Sequence, residues 1–186
     1  MRCWLIALAL LLASCGGGGG SSGGSGGGGG PGPNTPRPTS SEAARLLTQA
    51  TFGPTEASIQ QVVSSGSVSS WINSQIGRPL SSVTHLNHVD AVIAANGSAD
   101  TNTFYQTWWR QAITADDQLR QRMAFALSQI LVVSLSDPSI DVRGAASYYD
   151  MLTRGALGNF RTLLRDVTLH PMMGRYLTYL GNQKED

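Results

Sequence analysis

The stretch DDQLRQRMAFALSQILVVS, residues 116–134, decides the fold class of this 186-residue chain. Wound as a helix, it sets Leu119, Met123, Ala126, Leu127, Ile130 and Ser134 on one broad stripe, with Phe125 and Val132 on the opposite side. Its second half is then apolar nearly all round, the pattern of a helix buried among others. The expectation is a central buried helix over about 116–134 with other helices packed about it.

Working outward, each neighbouring segment repeats the helical period. Upstream, Tyr105, Trp108, Trp109 and Ala112 share one face of a helix over Thr101 to Ile113, and Thr114-Ala-Asp-Asp117 caps the central helix. Leu86, Val89, Val92 and Ile93 allow a helix within Ser81 to Asn96, closed by Asn96-Gly97. Val68, Trp71, Ile72 and Ile76 follow a Ser67 cap and stop at Gly77-Arg78-Pro79. Ile59, Val62 and Val63 lead up to Gly66. The Thr39-Ser-Ser-Glu42 phrase is a capping box, opening a helix with Ala43, Leu46, Leu47 and Ala50 inward. Downstream, Gly144 to Leu157 carries Tyr148, Leu152 and Ala156. Asn159 caps a helix with Phe160, Leu163, Leu164 and Val167 inward. Pro171 opens a last stripe of Met173, Tyr176, Leu177 and Leu180, closed by Gly181. The single strand candidate, Ile130 to Ser134, is outweighed by the helical pattern running into it. Residues 39–186 therefore read as one all-α domain, a multi-helix orthogonal bundle.

The first 38 residues do not belong to that core. Met1-Arg2 is a positive start, and Trp4 to Ala13 is an apolar run too short to span a bilayer but suited to a signal peptide. It ends in Leu12-Ala13-Ser14-Cys15, which resembles the bacterial lipobox. The expectation is a lipoprotein signal peptide over 1–14 and lipid attachment at Cys15. Gly16 is not an acidic retention residue, which points to an outer-membrane lipoprotein of the cell envelope, facing the periplasm or the cell surface. Residues 15–38 form a Gly/Ser/Pro-rich tether, with only Gly and Ser from Gly16 to Gly30. Such a chain is a disordered coil, and ~20 of its residues reach about 25 Å.

Composition narrows the functions. Thirteen basic and twelve acidic residues leave a net charge of +1, without the concentrated basic surface that nucleic acid requires. Both cysteines, Cys3 and Cys15, lie in the leader, so the domain has no thiol chemistry and no disulfide. No Gly-x-Ser-x-Gly elbow, dinucleotide fingerprint or phosphate loop is present, and no cofactor is expected.

Several phrases carry a family resemblance: AARLLTQATFGPT (43–55), LRQRMAFALSQILVVS (119–134), YYDMLTRGALGNFRTLLRDVTLHPMMGRYL (148–177) and GNQKED (181–186). In this order they resemble the bacterial family known as domain of unknown function 1800. The resemblance covers residues 40 to 186 and brings no established reaction. It implies export, often beside a second exported protein, which is the expected partner along with the membrane. It also implies a longer full-length protein, because members run to several hundred residues. Many members carry a Trp-His-x-His-like phrase where this chain has Leu127-Ser128-Gln129-Ile130, so no metal role is carried over there.

The candidate site residues are few. His85 and His88, three apart, could turn two imidazoles toward a metal, although a solvated helix start accounts for them better. His170, before Pro171, reads as a hydrogen-bonder to exposed backbone carbonyls. Lys184, Glu185 and Asp186 form a charged cluster whose recurrence in the family makes a functional pocket an even alternative to a solvated turn. Arg120 and Arg122 flank the central helix, so at least one of them needs a carboxylate, and Asp150 or Asp166 could serve in a structural salt bridge. Trp71, Trp108 and Trp109 sit at core spacing, favouring packing over a carbohydrate platform. The leading expectation is a non-catalytic accessory or interaction module. The alternative is an envelope enzyme, hydrolase-like or metal-dependent, with an acidic pocket including Glu185 and Asp186.

Overall fold

The computed structural model describes residues 36–183, whose regular elements are all helices with no strand among them. The elements are α1 (Ser40–Ala50), α2 (Glu56–Ser64), α3 (Val68–Ile76), α4 (His85–Asn96), α5 (Thr101–Thr114), α6 (Gln118–Ser128), α7 (Val142–Gly155), α8 (Phe160–Leu169) and α9 (Pro171–Tyr176). The expected signal peptide, the tether up to residue 35 and the lipid-bearing Cys15 lie outside the described residues. No helix among the described residues is long and apolar enough to cross a membrane.

Short polar side chains set where the helices begin. Thr39 accepts the Glu42 N–H and Glu42 reaches back to Thr39, the expected capping box. Thr55 with Ser58 and Asp100 with Thr103 repeat the device, and Ser67, Thr84, Asp141 and Asn159 each cap a helix singly. Gly97 ends α4 at φ +81°, a conformation that costs glycine nothing. Asp117 precedes α6 but makes no side-chain cap.

Three apolar clusters make the interior. Ala43, Leu47, Val62 and Trp71 join α1, α2 and α3. Val89, Phe104, Ala124, Ala146 and Tyr149 join α4 through α7. Ile140, Tyr148, Leu152, Leu163, Val167 and Met172 are among those that join α7, α8 and α9. Helix α7 takes part in the last two and packs on α4, α5, α6, α8 and α9. It buries a nearly continuous run from Ala145 to Thr153. Small residues at its start make this possible: a Cβ on Gly144 would lie 2.3 Å from the Met172 sulfur.

The helix expected at the centre is shorter and differently oriented. Helix α6 does touch α1, α3, α5 and α7, but it stops at Ser128 rather than Ser134. Its buried residues are Arg120, Gln121 and Ala124, whereas Met123, Ala126 and Ile130 of the expected stripe are exposed. Two causes are visible. The Ser128 hydroxyl donates to the Phe125 carbonyl, and the Gln129 and Ile130 N–H groups tighten to the carbonyls three residues back. Leu131, Val133 and Leu135 then pack as irregular chain against the α7 cluster, where the Tyr148 hydroxyl donates to the Leu131 carbonyl at 2.8 Å. The apolar run beyond Ser128 supplies core without being helix.

Candidate functional site

Helix α5 carries two rows offset by two residues, which places them on opposite faces. Thr103, Thr107 and Gln111 point inward, with the Gln111 side-chain N–H donating to the Val83 carbonyl at 3.1 Å. Tyr105, Trp109 and Ile113 repeat on the same i, i+4, i+8 spacing and face out, at 47%, 59% and 74% exposure. The expected inner face is thus right for Ala112 and half right for Trp108, but wrong for Tyr105 and Trp109. Trp71 is a core residue; Trp109 is not. Gln111 is polar because it meets the Val83 carbonyl of the α3–α4 loop and Thr103 because it completes the Asp100 cap, whereas the buried Thr107 hydroxyl has no hydrogen-bond partner among the described residues.

Two clefts flank this outer row. The first, about 420 Å³, lies between α5, α6, α7 and the segment 132–135. Phe104, Tyr148 and Tyr149 line it together with Tyr105, Trp108, Trp109 and Phe125, and Ser128 and Gln129 add polar groups. Burial raises the Tyr149 hydroxyl to about pKa 12, offset in part by the nearby Trp108 and Ser128 side chains. The group is therefore a neutral phenol at any ordinary pH. The second cleft, about 780 Å³, lies across Trp109 and takes in Phe52, Ile113 and Arg122. Its aromatic wall is edge-packed: Phe52 sits 5.5 Å from Trp108 and 5.9 Å from Phe125. The Arg122 guanidinium lies 5.6 Å from the Phe52 ring centroid and 5.5 Å from that of Phe125, and among the described residues it is held by these rings and forms no ion pair.

The histidines do not assemble a site. His85 is 1% exposed, against the expectation of a solvated helix start, and lies edge to face against Tyr149 at 5.1 Å and beside Phe104 at 5.5 Å. Both its ring nitrogens are buried without a hydrogen-bond partner, and desolvation, followed by the neighbouring His88, pushes its pKa down to about 4. It is a neutral imidazole used as an aromatic. Among the described residues no three His, Cys, Asp or Glu side chains are grouped to hold a metal ion. His170 caps α9: its Nδ1 accepts the Met172 N–H at 3.2 Å, which leaves the proton on Nε2, 3.4 Å from the Ser147 hydroxyl. Its hydrogen-bonding role is structural as expected, but its backbone partner is an N–H, not a carbonyl.

The carboxylates also pair differently from expectation. Asp150 serves neither Arg120 nor Arg122. It is buried in α7 and accepts the His85 and Leu86 N–H groups, both at 2.9 Å, closing the N-terminus of α4. Burial raises its pKa and those two hydrogen bonds partly lower it again. Arg120 pairs with Asp117 at 3.3 Å and donates to the Arg78 carbonyl at 3.1 Å, both side chains being buried. Asp166 is exposed and makes no ion pair among the described residues. Lys184, Glu185 and Asp186 lie outside the described residues. The features missed by the sequence reading are the outer row of α5 and the Asp150 cap; the first was legible as a second i, i+4, i+8 row.

No curated protein and no solved structure matches the chain. The sequence pattern of one family matches residues 45–186, which is most of the chain. The phrases from AARLLTQATFGPT to GNQKED that suggested the family lie almost wholly within that match. The chain belongs to the family described as Protein of unknown function (DUF1800).

Proposed function

We propose that this protein is a non-catalytic interaction module of the bacterial cell envelope, exported, held at a membrane by lipid on Cys15, and docking a second exported protein through the outer row of α5. The observation that carries the docking is the exposure of Tyr105, Trp109 and Ile113 in one register, between two clefts that share Trp108, Trp109 and Phe125. Exposed aromatics over adjoining clefts are the composition of an interface centre. Among the described residues the lining of the first cleft is aromatic and aliphatic with neutral polar groups at Ser128, Gln129 and Ser134, so it offers apolar area and neutral hydrogen bonds. The leader, the Cys15 phrase and the glycine tether support the address.

A photocrosslinking amino acid placed at position 109 in cells of origin tests the docking. A discrete adduct with one exported protein, lost on Ile113→Asp and absent from position 166, is the expected result. Equal labelling at 109 and 166 would remove the proposal. The intact mass of the membrane-extracted protein tests the anchor: it begins at Cys15 with acyl groups if the reading is right, and carries none if it is wrong.

A further inference from the structure

Helix α8 presents a second surface, of different chemistry. Leu163 and Val167 face α7 and are buried. At 3.6 residues per turn, Phe160 and Leu164 form the next row round the helix, and Arg161 and Arg165 the row beyond it. Phe160 is 62% and Leu164 45% exposed, and both arginines are exposed with no ion pair among the described residues. The one acid of the helix, Asp166, falls on the opposite side of that face. The charge is local as well: residues 154–175 hold four arginines and a single aspartate in a chain whose net charge is +1. Among the described residues, Arg175 of those four forms an ion pair, with Asp141, and Arg154 acts at longer range on Asp150, while Arg161 and Arg165 make none.

We infer that the Phe160–Leu164 and Arg161–Arg165 rows of α8 form a docking face for an anionic phospholipid surface. A phenyl ring and a leucine side chain enter the boundary between headgroups and acyl chains, while guanidinium groups beside them bind phosphate oxygens through paired N–H donors. A protein partner would be met by apolar area without this one-sided charge, and nucleic acid by charge without the apolar row. The inference rests on the lipid-anchored reading for its setting. Residues 15–38, fully extended, span roughly 80 Å, about twice the diameter of a domain this size, so an anchor at Cys15 does not dictate which face meets the bilayer. Tethering also raises the local concentration so far that two arginines and two apolar side chains suffice to bias the orientation.

The test uses the full-length lipidated chain reconstituted into phosphatidylcholine vesicles with or without phosphatidylglycerol, and reads arginine modification by phenylglyoxal at each site by mass spectrometry. Arg161 and Arg165 are expected to react several-fold more slowly when phosphatidylglycerol is present, with exposed Arg110 on α5 unchanged as internal control. Phe160→Ser with Leu164→Ser is expected to remove most of that protection without altering the helical circular dichroism. Equal reactivity in both vesicles, protection shared by Arg110, or protection indifferent to the two serines would each overturn the inference. A chain that proves to carry no lipid overturns the anchor alone, and phenylglyoxal reactivity of the same chain mixed with the two vesicle types still decides whether α8 binds them.

Discussion

Asp150 reaches back 64 and 65 residues in sequence to hold the first two N–H groups of α4. Replacing it by alanine leaves both donors buried without an acceptor, and urea unfolding should register a loss of about 2–4 kcal/mol. Asp150→Asn keeps one acceptor oxygen and should lose less. His85, which these bonds pin in place, gives the protein an acid limit. Its folded pKa of about 4 lies below the 6.5 of the unfolded chain, so the unfolded state takes up the proton first as pH falls. The stability tied to a neutral His85 is complete above pH 6.5 and drains away between 6.5 and 4, by about 3 kcal/mol. Asp150 acts in the opposite sense: its raised pKa adds stability at low pH that is lost as pH rises through the folded value. In a His85→Leu variant, unfolding free energies measured from pH 7 to 4 should flatten to what His170, whose pKa burial also lowers, and the opposing Asp150 leave between them. The imidazole makes no hydrogen bond, so leucine leaves nothing unpaired.

At the scale of the element, α5 and α6 share one feature: hydrogen-bonding residues turned inward and apolar residues left outside. For α5 this predicts a sharp contrast. Trp109→Ala and Ile113→Ala should shift stability by under about 0.5 kcal/mol, since both side chains are already largely in solvent. Phe104→Ala, one position before Tyr105 but buried against His85 and Tyr149, should cost about 3–5 kcal/mol. Thermal denaturation of the three variants separates the exposed row from the buried Phe104. For α6 the buried Asp117–Arg120 pair is the sensitive point. Arg120→Ala strands the Asp117 carboxylate and frees the Arg78 carbonyl, with an expected loss of about 3–5 kcal/mol.

At the scale of the whole molecule, the α1–α3 cluster is fastened to the rest by α6 and the Phe52 ring, whereas α7 is packed on five helices. Native-state hydrogen exchange should therefore show α1–α3 opening at lower free energy than α7, and equal protection would contradict that division. The sequence by itself determined the all-α class, the family and the starts of α1, α3, α5, α8 and α9, because caps such as Thr39, Ser67 and Asn159 act within four residues of their own position, whereas the starts of α4, α6 and α7 fell elsewhere than expected. It placed the stop at Asn96-Gly97 for the same local reason. Only the tertiary structure decided which faces are buried. Periodicity reports that a helix has an apolar stripe, but partners chosen by hydrogen bonds far along the chain, Gln111 to Val83 and Arg120 to Arg78, turned the polar rows of α5 and α6 inward instead. The same distance hid the role of Asp150 and the burial of His85, since no local pattern announces a carboxylate that caps a helix 65 residues upstream. The outer row on α5 and the α8 face are the apolar positions that packing among the described residues leaves uncovered.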